Sequence, residues 1–121
     1  DSQHKTWVKE SLDIDKMHVA SRYLIGQHDF TSFRSSICQS HSSLKTIDDI
    51  KILKHNDDIE VYVSALSFLH HMVRNIVGTL IQIGKKDDPP SRMKEILEAK
   101  NRATAGPTAP AHGLYFLKVD Y

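Results

Sequence analysis

The sequence predicts an α+β domain, an antiparallel sheet flanked by helices on one face, and three features of its 121 residues carry that expectation. In residues 59–67, Ile59, Val61, Val63 and Ala65 alternate with Glu60, Tyr62 and Ser64, the period-two pattern of a strand with one buried face. Directly after it the period lengthens to about 3.6, so that Leu69, Met72, Val73, Ile76, Val77, Leu80 and Ile83 fall on one face of a helix over 68–83. A further strand over 114–121 closes the chain, and nothing repeats or alternates as regular βαβ units, which segregates helices from strands.

Taken from the N-terminus, residues 1–12 are polar around Trp7 and Val8 and read as an extended lead-in segment held by one aromatic anchor; 13–121 is the single α+β domain. Asp13 or Asp15 is placed to cap a first helix through Met17, Val19, Ala20, Tyr23 and Leu24, with Gly26 as its stop. Residues 30–43 are rich in Ser and Thr, whose side chains compete for backbone hydrogen bonds, and this predicts an irregular loop. A strand over 46–54 pairs with the one over 59–67 as an antiparallel hairpin, because His55, Asn56, Asp57 and Asp58 between them tolerate left-handed backbone angles. Gly84 ends the long helix, Asp87 to Ser91 with its two prolines forms a loop and cap, and a short helix follows over 93–99. Residues 101–112, with Gly106, Pro107 and Pro110, are loop.

Composition narrows the class further. Hydrophobic residues make up 40% and charged residues 26%, with 5 Gly and 4 Pro, which excludes collagen-like and wholly disordered chains. Lys and Arg number 16 against 15 Asp and Glu, so bulk charge argues neither for a polyanionic partner nor against one. The lone Cys38 excludes an intrachain disulfide and suits a reducing, cytoplasmic setting. The most apolar stretch, 68–83, is interrupted by His70, His71, Arg74, Asn75 and Gln82, so no membrane span is expected. The first residues carry neither an initiator Met nor an apolar leader, and the chain reads as a fragment of a longer protein.

Few side chains stand out as chemistry. The eight His are scattered, the adjacent pair His70 and His71 diverges on a helix, and no metal-ligand spacing occurs, so no metal is expected. Cys38 reads as a plain loop cysteine, and the isolated glycines form no phosphate-cradling loop. The sharper feature is Arg74, at the edge of the apolar helix face and one turn from Gly78. Two readings stand: a half-buried guanidinium paired with a carboxylate or a phosphate, or an arginine whose head extends to solvent. Phe30, Phe33 and Arg34 either stack on an unpaired base or anchor their own loop. The cluster of Lys85, Lys86, Arg92, Lys94, Lys100 and Arg102 is interleaved with Asp87, Asp88, Glu95 and Glu98, a mixed solvated face by default.

Longer strings carry a resemblance. Phe68 to Leu80 (FLHHMVRNIVGTL) resembles the helix motif of the tRNA pseudouridine synthase A family, and Ala105 to Tyr121 (AGPTAPAHGLYFLKVDY) is similar to that family's closing loop and strand. Gly26 to Arg34 (GQHDFTSFR) resembles its Gly-x-His-Asp-Phe-x-x-Phe-Arg segment, with Trp7 to Asp15 matching the approach to it, in the family's order across nearly the whole chain.

The resemblance implies the C-terminal half of the pseudouridine synthase fold, from an enzyme that converts uridines of the tRNA anticodon stem-loop to pseudouridine, without cofactor and as a homodimer. It places the family's nucleophilic aspartate, in a Gly-Arg-Thr-Asp motif, in the N-terminal half; no Arg-Thr-Asp occurs in this chain, so the chain alone is expected to be inactive. Arg74 matches the arginine that pairs with that aspartate. Ala109, Gly113 and Leu114 fall on the wall beside the target base, and Phe33 and Arg34 on a substrate-side loop. Lys85, Lys86, Arg92 and Arg102 are the candidate contacts to the RNA backbone. The strands here are expected to complete a larger antiparallel sheet. The competing reading is a non-catalytic RNA-binding or dimerisation module of the same fold.

Overall fold

The computed structural model describes residues 12–35, 42–55, 58–67, 71–85, 87–109 and 115–119, the last of these by their backbone. Almost all of the 1–12 lead-in therefore lies outside the described residues. Helix α1 spans Ile14–Arg22, and Asp13 caps it: the carboxylate accepts from the Lys16 amide at 3.0 Å, supplying one of the partners that a helix N-terminus lacks. Strands β1 (Gly26–Asp29), β2 (Leu44–His55) and β3 (Asp58–Ala65) follow, then helices α2 (Met72–Lys85) and α3 (Arg92–Ala99), and strand β4 (Tyr115–Val119). Short 3₁₀ turns stand at Thr31–Phe33 and Arg102–Thr104.

The sheet order is β1-β2-β3-β4. The antiparallel sheet that alternation predicts is present in β1, β2 and β3, and the β2/β3 register runs to His55↔Asp58. β4 joins beside β3 in the parallel sense, pairing Val61 with Tyr115 and Ala65 with Val119. A parallel neighbour needs a long crossover, and α2 and α3 lie in the chain between β3 and β4.

Strict alternation does not hold along β2, where Ile47, Ile50 and Ile52 are all buried. The register shifts between Ile47 and Asp49, so one extra residue re-phases the strand and returns Ile50 and Ile52 to the face of Ile47. Opposite them Val61, Val63 and Ala65 keep one phase, and the joint surface packs against Met17, Ala20, Ile76, Leu80, Ile83, Met93 and Ile96 of the helices. Lys51, Leu53 and Tyr62 stand exposed on the strands, and the Tyr62 hydroxyl donates to Glu60 at 2.7 Å, which raises the phenol pKa.

Three local expectations are corrected. Gly26 does not stop α1; the helix ends at Arg22, and Gly26 opens β1 at φ +98°. Gly84 lies inside the last turn of α2, where a Cβ would come within 2.8 Å of Met17 Cγ, so it serves the α1–α2 crossing. The segment expected to be a loop from Phe30 contains an ordered 3₁₀ turn, and the following strand begins earlier than expected, at Leu44. The short helix over 93–99 is α3, with Lys100 in the left-handed conformation at its C-cap.

Candidate functional site

The site grows from α2. Its apolar stripe joins the buried core as the periodicity requires, yet Asn75, Gly78 and Thr79 are buried as well. A second surface of the helix is therefore covered, and what covers it is the chain between α3 and β4.

Gly78 is the reason that chain can lie so close. A Cβ built there would stand 1.7 Å from the Pro107 carbonyl oxygen and 3.2 Å from the Ala109 nitrogen, so only a glycine admits the main chain of 107–109 onto the helix backbone. The Ala109 amide then donates to the Arg74 carbonyl at 3.0 Å, and Arg74 Nε donates back to the Ala109 carbonyl at 2.8 Å. Arg74 is half-buried, and its side chain is held along a main-chain strap beside the position Gly78 thins. Its Nε is thus held by main chain, and the two readings of Arg74 differ in what meets the Nη end.

The strap is fastened by polar side chains buried under it. Asn75 Nδ2 donates to the Phe33 carbonyl at 2.8 Å, while Asn75 Oδ1 accepts from Arg102 Nη2 at 3.1 Å and from the Thr108 hydroxyl at 2.5 Å. Arg102 also donates from Nη1 to the Gly106 carbonyl at 2.8 Å and from Nη2 to Thr108 Oγ1 at 3.1 Å. The Thr79 hydroxyl donates to the Asn75 carbonyl at 2.8 Å and accepts from the Gly106 amide at 2.9 Å. Among the described residues no buried side-chain nitrogen or oxygen lacks a partner, the condition under which such a network fixes one arrangement. Thr79→Val keeps the shape and removes both bonds, leaving the buried Gly106 amide without its acceptor. It is expected to cost about 1–2 kcal/mol in urea denaturation at unchanged slope, with Thr79→Ser recovering most of the loss.

The GQHDFTSFR segment resolves into a folded turn. The Asp29 carboxylate accepts from the Thr31 hydroxyl and, at 2.9 Å, from the Thr31 amide. The hydroxyl bond is the main reason that this carboxyl sits below its usual pKa, with the charges of Lys100 and Arg34 adding to the effect against the cost of partial burial. His28 approaches Ile25 O at 2.8 Å with Nε2 and meets the Phe30 ring edge-on. Phe30 and Phe33 are both 0% exposed, with ring centroids 6.3 Å apart. Of the two readings of this pair, base stacking or anchoring of their own loop, the burial of both rings favours the anchor. Buried Ser32 donates to the Ile96 carbonyl at 2.6 Å and accepts from the Asn101 amide at 2.9 Å, tying this turn to α3 and to the start of the strap. Arg34 is half-buried and donates to the Ser43 hydroxyl at 2.6 Å.

The candidate backbone contacts divide. Lys85 is exposed at the end of α2, and Arg92 is paired with Glu95 at 3.2 Å. Arg102 is partly buried and differs from them in that its hydrogen bonds go into the strap. Ala109, the last described residue of the strap, is 3% exposed. Gly113, Leu114 and Lys86 lie outside the described residues. Among the described residues no three His, Cys, Asp or Glu side chains gather as a metal site, and no helix is long and apolar enough to cross a membrane.

Sequence reasoning overlooked Asn75, Thr79, Arg102 and Thr108 as one unit. The signal available was Asn75 and Thr79, two polar residues one turn apart inside the most apolar helix of the chain.

In this α+β domain the described residues hold one arginine of α2, Arg74, half-buried against a main-chain strap. The family follows from the comparison of sequences: the model of the tRNA pseudouridine synthase family matches residues 20–121, and the chain belongs to that family. It is also similar to two curated relatives named tRNA pseudouridine synthase A, from Orientia tsutsugamushi strains Ikeda and Boryong, each 59% identical over 121 residues, 98% of this chain and 43% of the relative. The chain thus spans less than half the length of these relatives.

Proposed function

We propose that this chain is the carboxylate-supporting half of an enzyme that isomerises uridine to pseudouridine in the anticodon stem-loop of tRNA. In that reaction the bond from C1′ to N1 breaks, a bond from C1′ to C5 forms on the same base, the C5 proton passes to solvent, and N1 takes up a proton from solvent in its place. The nucleophilic aspartate is supplied by sequence outside these 121 residues, and the role of Arg74 is to keep that carboxylate ionised and aimed, since an opposite charge within a few ångströms favours the charged form.

The observation that carries this reading is the reciprocal pair between Arg74 and Ala109, which holds a permanent cation half-buried and oriented at the edge of α2. Ala109, Gly113 and Leu114 form the wall beside the base, Arg34 stands on the substrate side, and Lys85, Lys86 and Arg92 meet the RNA backbone. The whole enzyme works as a cytoplasmic homodimer without cofactor.

Tritium release from tRNA labelled at C5 of uridine tests the proposal. The full-length enzyme containing this chain is expected to release tritium from anticodon-arm uridines, and the 121-residue chain alone to release none. Release by the chain alone overturns the assignment of the nucleophile, and release confined to another arm overturns the substrate.

A further inference from the structure

A guanidinium has two edges that can take a carboxylate in bidentate fashion, one made by Nε with an Nη and the other by Nη1 with Nη2. Nε carries a single hydrogen, and in Arg74 that hydrogen is donated to the Ala109 carbonyl at 2.8 Å. The side edge of Arg74 is thereby occupied, and the end made by Nη1 and Nη2 is what remains to meet a carboxylate.

Which edge stays available depends on where the Ala109 carbonyl stands. The strap is fixed at 106 by Thr79 Oγ1 and Arg102 Nη1, at 108 by Asn75 Oδ1 and Arg102 Nη2, and at 109 by the Arg74 carbonyl. Arg102 is the one side chain that touches this set at three points, and all three partners are neutral oxygens. Arg102 is only partly buried, so these bonds serve geometry more than charge pairing: its planar fork fixes carbonyl and hydroxyl positions at once.

We propose that Arg102 is a positioning residue for Arg74, acting through Asn75, Thr108 and the strap of 106–109, and that it makes Arg74 receive its carboxylate end-on through Nη1 and Nη2. The inference rests on the proposed function for the identity of the carboxylate, and its test separates the two.

The experiment uses the full-length enzyme with Arg102→Ala, Arg102→Lys and Thr108→Val, the last at an exposed position whose loss spares the core. Misaligning a catalytic partner by about an ångström costs up to about a hundredfold in rate, so Arg102→Ala is expected to lower kcat by about ten- to a hundredfold, with KM for tRNA within about twofold. The salt dependence of tRNA binding is expected to stay unchanged. Arg102→Lys does not rescue, because an ammonium cannot span Gly106 O and Asn75 Oδ1, and Thr108→Val follows in the same direction by a smaller factor. In ¹⁵N spectra the Hε resonance of Arg74, identified by its loss in Arg74→Lys, exchanges faster with water in Arg102→Ala and in Thr108→Val. On the Arg74→Lys background, which has no Nε–H to be held, Arg102→Ala adds no further loss.

A raised KM with a salt slope reduced by nearly one unit would make Arg102 a phosphate contact and overturn the inference. Unchanged Hε exchange, or an additive loss on the Arg74→Lys background, overturns it equally. Should Arg102→Ala fail to fold, Thr108→Val carries the same readings. Full turnover by Arg74→Ala would instead defeat the proposed function, with the Hε result still reporting on the strap.

Discussion

Arg74→Ala in the full-length enzyme is expected to lower kcat by about a hundredfold or more while KM for tRNA changes by less than about threefold. The cation is proposed to act on the reacting carboxylate, so its loss is felt in the transition state and little in docking. Arg74→Lys keeps the charge but has neither the Nε–H that pairs with Ala109 nor a planar fork, and is expected to recover only part. Steady-state kinetics of tritium release decide the matter. Normal kcat with a raised KM would make Arg74 a phosphate contact.

Gly78→Ala is expected to be the most damaging of the small substitutions. A methyl group there would stand 1.7 Å from the Pro107 carbonyl oxygen and 2.9 Å from its carbon, and main chain cannot swing aside as a side chain can. The strap must lift, taking with it the pair between Arg74 and Ala109. Overpacking a well-filled contact costs about 1–3 kcal/mol, and the two broken hydrogen bonds add about 1 kcal/mol each, so a loss of about 3–5 kcal/mol together with nearly all turnover is expected. Gly84→Ala is the matched control in the same helix: it meets the flexible Met17 side chain, so a milder loss of stability and retained turnover are expected. Thermal denaturation and the tritium assay on both variants check the contrast. Equal effects at the two positions would show that the strap is not what Gly78 protects.

Much of this molecule was legible locally. The period-two run ending at Ala65 became β3 and the 3.6-residue run became α2, because each pattern reports which side of one element is turned from water. Asp13 was readable as a cap since its partner, the Lys16 amide, lies three residues away. The three strings that resemble the synthase family pointed to the family that residues 20–121 match. Arg74 beside Gly78 was legible as a position, at the edge of a stripe and one turn from a residue without a side chain.

Tertiary structure decided the rest. Pattern shows that 115–119 is a strand, but its direction is set by the crossover through α2 and α3. Gly26 and Gly84 carry the composition of helix stops, and only their neighbours show one to be a strand opening and the other a helix crossing. Phe33 and Arg102 look from sequence like residues that meet RNA; packing buries the first, and partners as distant in sequence as Asn75 claim the second. The physical reason is common to all of them. Periodicity and capping are interactions within a few residues of the chain, so the sequence by itself determines the elements and their buried faces. Strand direction, close backbone approach and polar pairing are contacts between segments far apart, and those exist only once the core has brought the segments together.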